Sequence, residues 1–389
     1  MAIQHQFFPV TCLGLVLLNL FTFAYHFTGS TLFNTLSNSV SLLLISFSVY
    51  VLILGKEGSG FYKILLVFAC VLVGTSFLAN FGAFEIADAL KLLSLYTFYI
   101  AGRSVGARWH PVEKLCIYAL VALPFIFKLV GTTKLFVGAD FPDVFAYFPN
   151  TNTAALYFTA SLFALSHWFE SKILILQFVN VVVMNRVGAA LATILAIAMC
   201  SVFPLSKAKF VALFALVIAS LFAYALGALD RLLTGLDAIA LIWSLDPSTV
   251  SRMTYKQLIH LTGTTDLSAF FRIIHWTNIW DYYSSQGLGG ILFGYGAGQT
   301  SIIAVIPVPP HNDYLRVLAE FGPLSFLAFV VFVLSIVFSL KQQGAKTLFT
   351  VLLIYFLSEN LIDNFTSMTL FFSYAGRLTS AASSGDSSA

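Results

Sequence analysis

The sequence carries little charge. Asp, Glu, Lys and Arg make up 10% of its 389 residues, whereas hydrophobic residues make up 59%. A soluble domain carries about 25% charged residues, so this composition excludes a soluble globular fold. The net charge is only +3 and the Lys and Arg residues are dispersed. The chain therefore lacks the basic block that a nucleic-acid-binding surface needs.

The sequence also lacks cysteine pairs and metal-binding motifs. The four cysteines lie in separate apolar runs, with no CxxC partner and no His cluster, at Cys12, Cys70, Cys116 and Cys200. They are predicted to be small core hydrophobes. No Asp-x-Asp, HExxH, P-loop or GxSxG motif occurs, so no metal or cofactor is predicted. The run from Gly294 to Gly298 lacks the strand and helix of a nucleotide fingerprint, and is predicted to be a flexible bend.

Long apolar runs are abundant. A helix needs about 20 apolar residues to cross the hydrocarbon core. The runs predict an all-α, polytopic membrane protein with about twelve transmembrane helices. The predicted spans are 8–25, 33–54, 63–80, 86–102, 115–131, 153–169, 173–185, 187–204, 210–228, 312–340, 347–361 and 364–377.

The Lys and Arg residues predict the orientation. They follow the even-numbered spans, at Lys56, Lys63, Arg103, Arg108, Lys114, Lys172, Lys207, Lys209, Lys341 and Lys346. Cytoplasmic connections are enriched in these residues, so both termini are predicted to be cytoplasmic. Arg377 is taken as the start of the C-terminal tail. The chain then divides into helices 1–9 (1–228), an outer loop (229–311), helices 10–12 (312–379) and a disordered cytoplasmic tail (380–389).

The outer loop is the segment most suggestive of function. It spans about 83 residues and is not of low complexity. Asp246-Pro247-Ser248 and Asp266 predict helix starts, and the later part is rich in aromatic residues. A long structured loop of this kind often carries binding or catalytic residues.

His311 ends this loop, after two prolines and before the next span. Asn312 or Asp313 can cap the helix that follows. The positive end of the helix dipole favours a neutral imidazole, which can accept a proton as a general base. The alternative is that His311 merely caps the helix at the membrane interface.

Two isolated arginines and one charged pair are further candidates. Arg186 and Arg272 can bind a diphosphate through their guanidinium groups, or form structural ion pairs (to Asp140 or Asp143), or contact lipid headgroups. Arg316 and Glu320 lie one helical turn apart and are predicted to form a packing ion pair. Glu320 lies on the opposite side of the helix from His311 and is not expected to orient it.

These pieces resemble the O-antigen polymerase and O-antigen ligase superfamily of bacterial envelope polysaccharide enzymes. The resemblance lies in three segments: His311-Asn312-Asp313-Tyr314-Leu315 with Glu320-Phe321-Gly322, Arg272-Ile273-Ile274-His275-Trp276, and Asn185-Arg186-Val187-Gly188. The sequence departs from the family pattern at Ser325, where a second glycine is usual, and at Asn185, where serine is usual. Pro323 also intrudes, and is expected to kink the helix.

The resemblance implies an inverting, metal-independent glycosyl transfer at the periplasmic face of the bacterial inner membrane. His311 would act as the base, with Arg186 and Arg272 holding the diphosphate of an undecaprenyl-linked glycan. Weaker candidates for substrate contacts are Arg231, Arg252, Asn312 and Trp276. The implied partners are the lipid-linked oligosaccharide, the bilayer, a chain-length regulator and a flippase.

The acceptor separates two readings. A polymerase extends the next lipid-linked repeat unit, whereas a ligase transfers the glycan to the lipid A core. The glycine bend close to Pro309-Pro310-His311-Asn312 favours a polymerase. A third reading, a lipid-linked oligosaccharide flippase or another transporter, predicts inverted repeats, and none is detected.

Overall fold

The computed structural model describes residues 2–55, 60–105, 109–130, 146–148, 151–184, 187–201, 241, 244, 253–263, 268–303 and 309–381. Within these ranges the chain is helical and has no strand. The helices are α1 (Ala2–His5), α2 (Phe7–Thr28), α3 (Thr31–Leu54), α4 (Gly60–Ala79), α5 (Ile86–Val105), α6 (Pro111–Val130), α7 (Thr151–Phe169), α8 (Ile173–Met184), α9 (Val187–Ser201), α10 (Tyr255–Thr262), α11 (Ser268–Ser285), α12 (Leu288–Phe293), α13 (Thr300–Ile303), α14 (Asp313–Ser339), α15 (Gln343–Tyr355) and α16 (Phe365–Ala381).

The long helices follow the predicted apolar runs. Each predicted span that falls in the described ranges overlaps a helix, and the predicted span 210–228 lies outside those ranges. Among the described residues, α2, α3, α4 and α14 are long and apolar enough to cross a membrane. Their composition is that of a helical membrane protein, and the number of about twelve spans stays a prediction.

Helices α5 and α16 pack closely against each other. A Cβ atom added to Gly102 would lie 2.0 Å from the Ser373 carbonyl oxygen, and one added to Gly376 would lie 2.1 Å from the Tyr99 carbonyl oxygen. Glycine on both helices therefore lets the two backbones approach, as small residues do between membrane helices.

Arg377 differs from its predicted place. It lies inside α16 and is 2% exposed, not at the start of a tail. Its guanidinium group binds the buried Glu113 carboxylate and lies 3.4 Å from the Phe8 ring centroid and 4.2 Å from that of Trp109. A carboxylate and aromatic faces compensate the buried cation, which a count of loop charges does not anticipate.

Helix α14 is broken at Gly322, and a residue of the outer loop bonds to the helix at this break. Gly322 has a φ of +81°, and Pro323 follows it, so the predicted kink is confirmed. Proline has no N–H to donate to the carbonyl four residues earlier, that of Ala319. The Tyr295 N–H donates to that carbonyl instead, at 3.1 Å. A Cβ on Gly322 would lie 2.1 Å from the Leu292 carbonyl oxygen, so glycine also allows α12 to approach.

The glycine bend at 294–298 is packed and not loose. The Gly296 N–H donates to the Glu320 carbonyl at 3.1 Å, and the Asn80 side chain donates to the Gly294 carbonyl at 3.2 Å. A Cβ on Gly294 would lie 2.3 Å from the Glu320 carbonyl carbon. The predicted bend is present, and it is hydrogen-bonded to α14 and to Asn80, which follows α4.

Candidate functional site

His311 lies where the chain turns into α14. The Asn312 side chain accepts the Leu315 N–H at 3.0 Å, which confirms a helix cap at this point. His311 itself has a φ of +51°, in the left-handed region that residues other than glycine seldom adopt. The Trp276 indole N–H donates to the Pro310 carbonyl at 2.6 Å, so α11 holds the residue before His311 in place.

His311 and Arg272 share one carboxylate, that of Glu359. Its Oε2 lies 3.3 Å from His311 Nδ1, and its Oε1 lies 3.0 Å from Arg272 Nη2. Arg272 Nε donates to the Ser358 carbonyl at 3.2 Å, and the Asn152 amide donates to Glu359 Oε1 at 2.7 Å. These contacts join α7, α11, the start of α14 and the turn after α15. We call His311, Arg272 and Glu359 the His311 cluster.

Exposure differs within the His311 cluster. The side chains of His311 and Arg272 are 31% and 25% exposed, whereas that of Glu359 is 9% exposed. The imidazole and the guanidinium group are therefore reachable from outside, and the carboxylate lies behind them. This arrangement suits a supporting role for Glu359 and a contacting role for the other two.

The His311–Glu359 contact defines how the imidazole can work. When Nδ1–H donates to the carboxylate, the tautomer is set and the lone pair lies on Nε2. The carboxylate also stabilises the imidazolium ion that forms when Nε2 takes a proton. The sequence predicted a base supported by the helix dipole alone, whereas the structure adds a carboxylate partner.

Arg272 forms an ion pair with Glu359, which is one of the alternatives that the sequence left open for it. The partners considered for that pair, Asp140 and Asp143, lie outside the described residues. The contacts to Glu359 and Ser358 use two of the five N–H donors of a guanidinium group. Such a group can bind a phosphate oxygen while it remains anchored to its carboxylate.

The other predicted site residues separate into two sets. Asn312 and Trp276 lie beside His311, where their polar groups bind the backbone of Leu315 and Pro310. The remaining predictions fall outside the described residues, at Arg186, Arg231 and Arg252. The structure thus brings together His311, Arg272, Asn312 and Trp276.

Glu359 and Asn152 were not identified from the sequence. Glu359 falls inside the predicted span 347–361, near its end, and ionisable residues in such positions usually have a functional or pairing role. That signal was available in the polar stretch from Ser358 to Asn364. Asn152 is one amide in an ordinary helix start and gave no local signal.

A second group of charges lies deeper at the same end of the bundle. Arg316 binds Asp88 at 2.7 Å, Asp363 at 2.8 Å and Glu320 at 3.4 Å. Lys91 binds Asp88 and Asp363, each at 2.7 Å. The predicted Arg316–Glu320 pair is thus confirmed as part of a larger set, which we call the Arg316 network.

Asp363 of this network lies in the turn between α15 and α16. Burial raises the pKa of Asp363. The charges of Arg316 and Lys91 lower that pKa by more than burial raises it, so the pKa lies below its ordinary value. Asp363 is therefore ionised at neutral pH. Its contacts with Arg316 and Lys91 are therefore ion pairs.

Comparisons with known proteins gave no match. No protein-family model matches the chain, and no curated protein matches it. Within the described ranges, no three His, Cys, Asp or Glu side chains are grouped so that they could hold a metal ion.

Proposed function

We propose that the chain is a membrane glycosyltransferase that acts as an O-antigen polymerase. It would transfer an undecaprenyl-diphosphate-linked glycan to the next lipid-linked repeat unit, without a metal. The observation that carries this proposal is the His311 cluster, in which an imidazole and a guanidinium group share a buried carboxylate. A general base and a phosphate-binding cation side by side are what this reaction requires.

The imidazole supplies the base. The acceptor hydroxyl loses its proton to His311 Nε2 as its oxygen attacks the anomeric carbon of the donor glycan. The new glycosidic C–O bond forms on the face opposite the diphosphate, so the configuration inverts. The C–O bond to the diphosphate breaks, and its electron pair leaves with the undecaprenyl diphosphate. Glu359 stabilises the imidazolium ion formed in this step.

The guanidinium group supplies the electrostatic stabilisation. Negative charge grows on the diphosphate as the C–O bond breaks, and a fixed cation stabilises that charge. Arg272 is held by Glu359 and Ser358, so it need not reorganise during the step. Arg186 is proposed as a second diphosphate ligand, and the proposed sugar or phosphate contacts are Arg231, Arg252, Asn312 and Trp276.

The proposal includes a position in the membrane. The chain would cross the bacterial inner membrane about twelve times with both termini in the cytoplasm, so that residues 229–311 face the periplasm. The starts of α5, α14 and α16 meet at one end of the bundle, through Asp88, Arg316 and Asp363. This charged end, which also carries the His311 cluster, supports a site that meets lipid-linked substrates from one side of the membrane. A chain-length regulator and a flippase are the proposed protein partners.

The test is the lipopolysaccharide of cells that carry His311→Ala in place of the wild-type chain. A polymerase predicts that this variant leaves a core with a single repeat unit. His260→Ala is the matched control, because His260 is exposed on α10 and takes no part in the cluster, so its ladder should stay normal.

The other outcomes separate the rival functions. A bare core with long polymer left on the lipid carrier indicates a ligase. Repeat units retained on the cytoplasmic side indicate a transporter. The feature that favours this function is the set of buried charges in the Arg316 network, because transporters carry charges inside the membrane. A normal ladder with His311→Ala removes His311 from the chemistry.

A further inference from the structure

The turn between α15 and α16 carries Glu359, the carboxylate of the His311 cluster. Ser358 gives its carbonyl to Arg272, and Glu359 gives its carboxylate to both His311 and Arg272. The turn has no regular secondary structure around Glu359. Its position relative to His311 must therefore come from specific contacts.

Asp313 makes these contacts on both sides of Glu359. Its backbone N–H donates to the Phe356 carbonyl at 2.8 Å. Its side-chain Oδ2 accepts the N–H of Leu361 at 2.6 Å and that of Ile362 at 3.1 Å. One residue thus bonds to the turn before Glu359 through its backbone N–H and after Glu359 through its fully buried side chain.

Asp313 also lies close to the base in the chain. It follows His311 by two residues, and the cap at Asn312 fixes the backbone between the two. The Arg316 network reaches only the far end of the turn, at Asp363. Among the described residues, Asp313 therefore links the backbone of His311 to the turn that carries Glu359.

We propose that Asp313 is a positioning residue of the site, which sets the contacts of Glu359 with His311 and Arg272 by anchoring the turn on both sides of Glu359. The catalytic part of this inference rests on the proposed glycosyl transfer, whereas the anchoring of the turn does not. Asp313 touches no substrate in this account. It acts through Glu359, and a base displaced by about 1 Å can lose roughly hundredfold in rate.

The chemistry of the contact offers a conservative variant. Both backbone N–H groups bond to the same oxygen, Oδ2, so the carbonyl oxygen of Asn can replace it. Asp313→Asn should keep the turn in place. Asp313→Ala leaves the N–H groups of Leu361 and Ile362 without this acceptor, so the turn should loosen.

The experiment combines hydrogen exchange with kinetics on the full chain in lipid nanodiscs. Mass spectrometry follows the peptide that covers 356–363, and the assay measures kcat and KM with an undecaprenyl-diphosphate-linked oligosaccharide. For Asp313→Ala we expect faster exchange in this peptide and a kcat reduced roughly tenfold to hundredfold, with a smaller change in KM. Asp313→Asn should resemble the wild type in both measurements. Asp281→Ala, which removes an exposed carboxylate on α11, should change neither.

Each departure from this pattern has a distinct meaning. Unchanged exchange in Asp313→Ala overturns the anchoring of the turn. Faster exchange with wild-type kcat overturns the link between the turn and catalysis. An Asp313→Asn variant as impaired as Asp313→Ala overturns the role given to the acceptor oxygen. If exchange responds as expected but the wild type transfers no glycan, the anchoring stands, and the proposed function fails together with the catalytic role of Asp313.

Discussion

Two charged clusters at the same end of the bundle use the same kinds of residues in different ways. In the His311 cluster, one carboxylate serves an imidazole and a guanidinium group that are 31% and 25% exposed. In the Arg316 network, three carboxylates surround a guanidinium group whose side chain is only 5% exposed. The first cluster is partly exposed, whereas the Arg316 guanidinium group is surrounded by its own partners.

The two clusters also differ in their balance of positive and negative charge. The Arg316 network holds three carboxylates against two cations, Arg316 and Lys91. The His311 cluster holds one carboxylate and gains positive charge when the imidazole takes a proton. A growing positive charge suits a site for an anionic diphosphate, and a buried, carboxylate-rich set suits a structural role. The comparison teaches that exposure and charge balance, and not residue type, distinguish a site from a scaffold.

Loss of Arg316 should produce the largest effect on stability. Arg316→Leu leaves Asp88, Asp363 and Glu320 without their shared cation, and removing one partner of a buried ion pair costs about 3–5 kcal/mol. The yield of monodisperse protein in detergent and the midpoint of its thermal unfolding should both fall. Lys256→Ala removes an exposed cation and should leave both unchanged. A normal midpoint for Arg316→Leu would show that the network is not structural.

Loss of the Glu359 charge should act mainly on activity. Glu359→Gln keeps the size of the side chain but no longer stabilises an imidazolium ion. General-base catalysis contributes about 10²–10⁴-fold, so we expect a loss of roughly hundredfold in kcat. The thermal midpoint should change much less than that of Arg316→Leu. If stability falls as far as activity does, the two clusters are not different in kind.

Replacement of Arg272 should have a smaller effect, on donor binding. Lys cannot contact Glu359 and Ser358 together and still offer further donors in a fixed geometry. A hydrogen bond to a charged group contributes about 1.5–3 kcal/mol, so Arg272→Lys should raise the KM for the lipid-linked donor roughly tenfold. Lys256→Arg is the matched control in the same loop. An unchanged KM together with an unchanged kcat would assign Arg272 to packing alone.

Removal of the indole N–H of Trp276 should have the smallest effect on activity. Trp276→Phe keeps an aromatic ring but removes the donor to the Pro310 carbonyl, and a neutral hydrogen bond contributes about 0.5–1.5 kcal/mol. The kcat should fall severalfold at most. A loss as large as that of Glu359→Gln would mean that the indole N–H bonds to the substrate and not only to the Pro310 carbonyl.

Local patterns in the sequence predicted local structure well. Apolar runs gave the positions of the long helices, Pro323 gave the kink in α14, and Asn312 gave its cap. The Arg316–Glu320 pair also followed from spacing, because residues four apart meet on one face of a helix. Each of these features depends on residues close together in the chain.

Features that depend on distant residues were missed. Glu359 lies 48 residues after His311, and only the packing of α15 and α16 against α14 brings the two together. The burial of Arg377 depends on Glu113, which is 264 residues away. Hydropathy reports how apolar a segment is but not which segment meets it. A carboxylate near the end of an apolar run was the one local hint of Glu359.

The most direct test of the account measures the release of undecaprenyl diphosphate by the purified chain in liposomes that contain a lipid-linked oligosaccharide. The account predicts release by the wild type and by His260→Ala, with a longer lipid-linked glycan as the other product. It predicts that His311→Ala slows the release roughly hundredfold or more. Release by His311→Ala at the wild-type rate, or no release by the wild type, would contradict it.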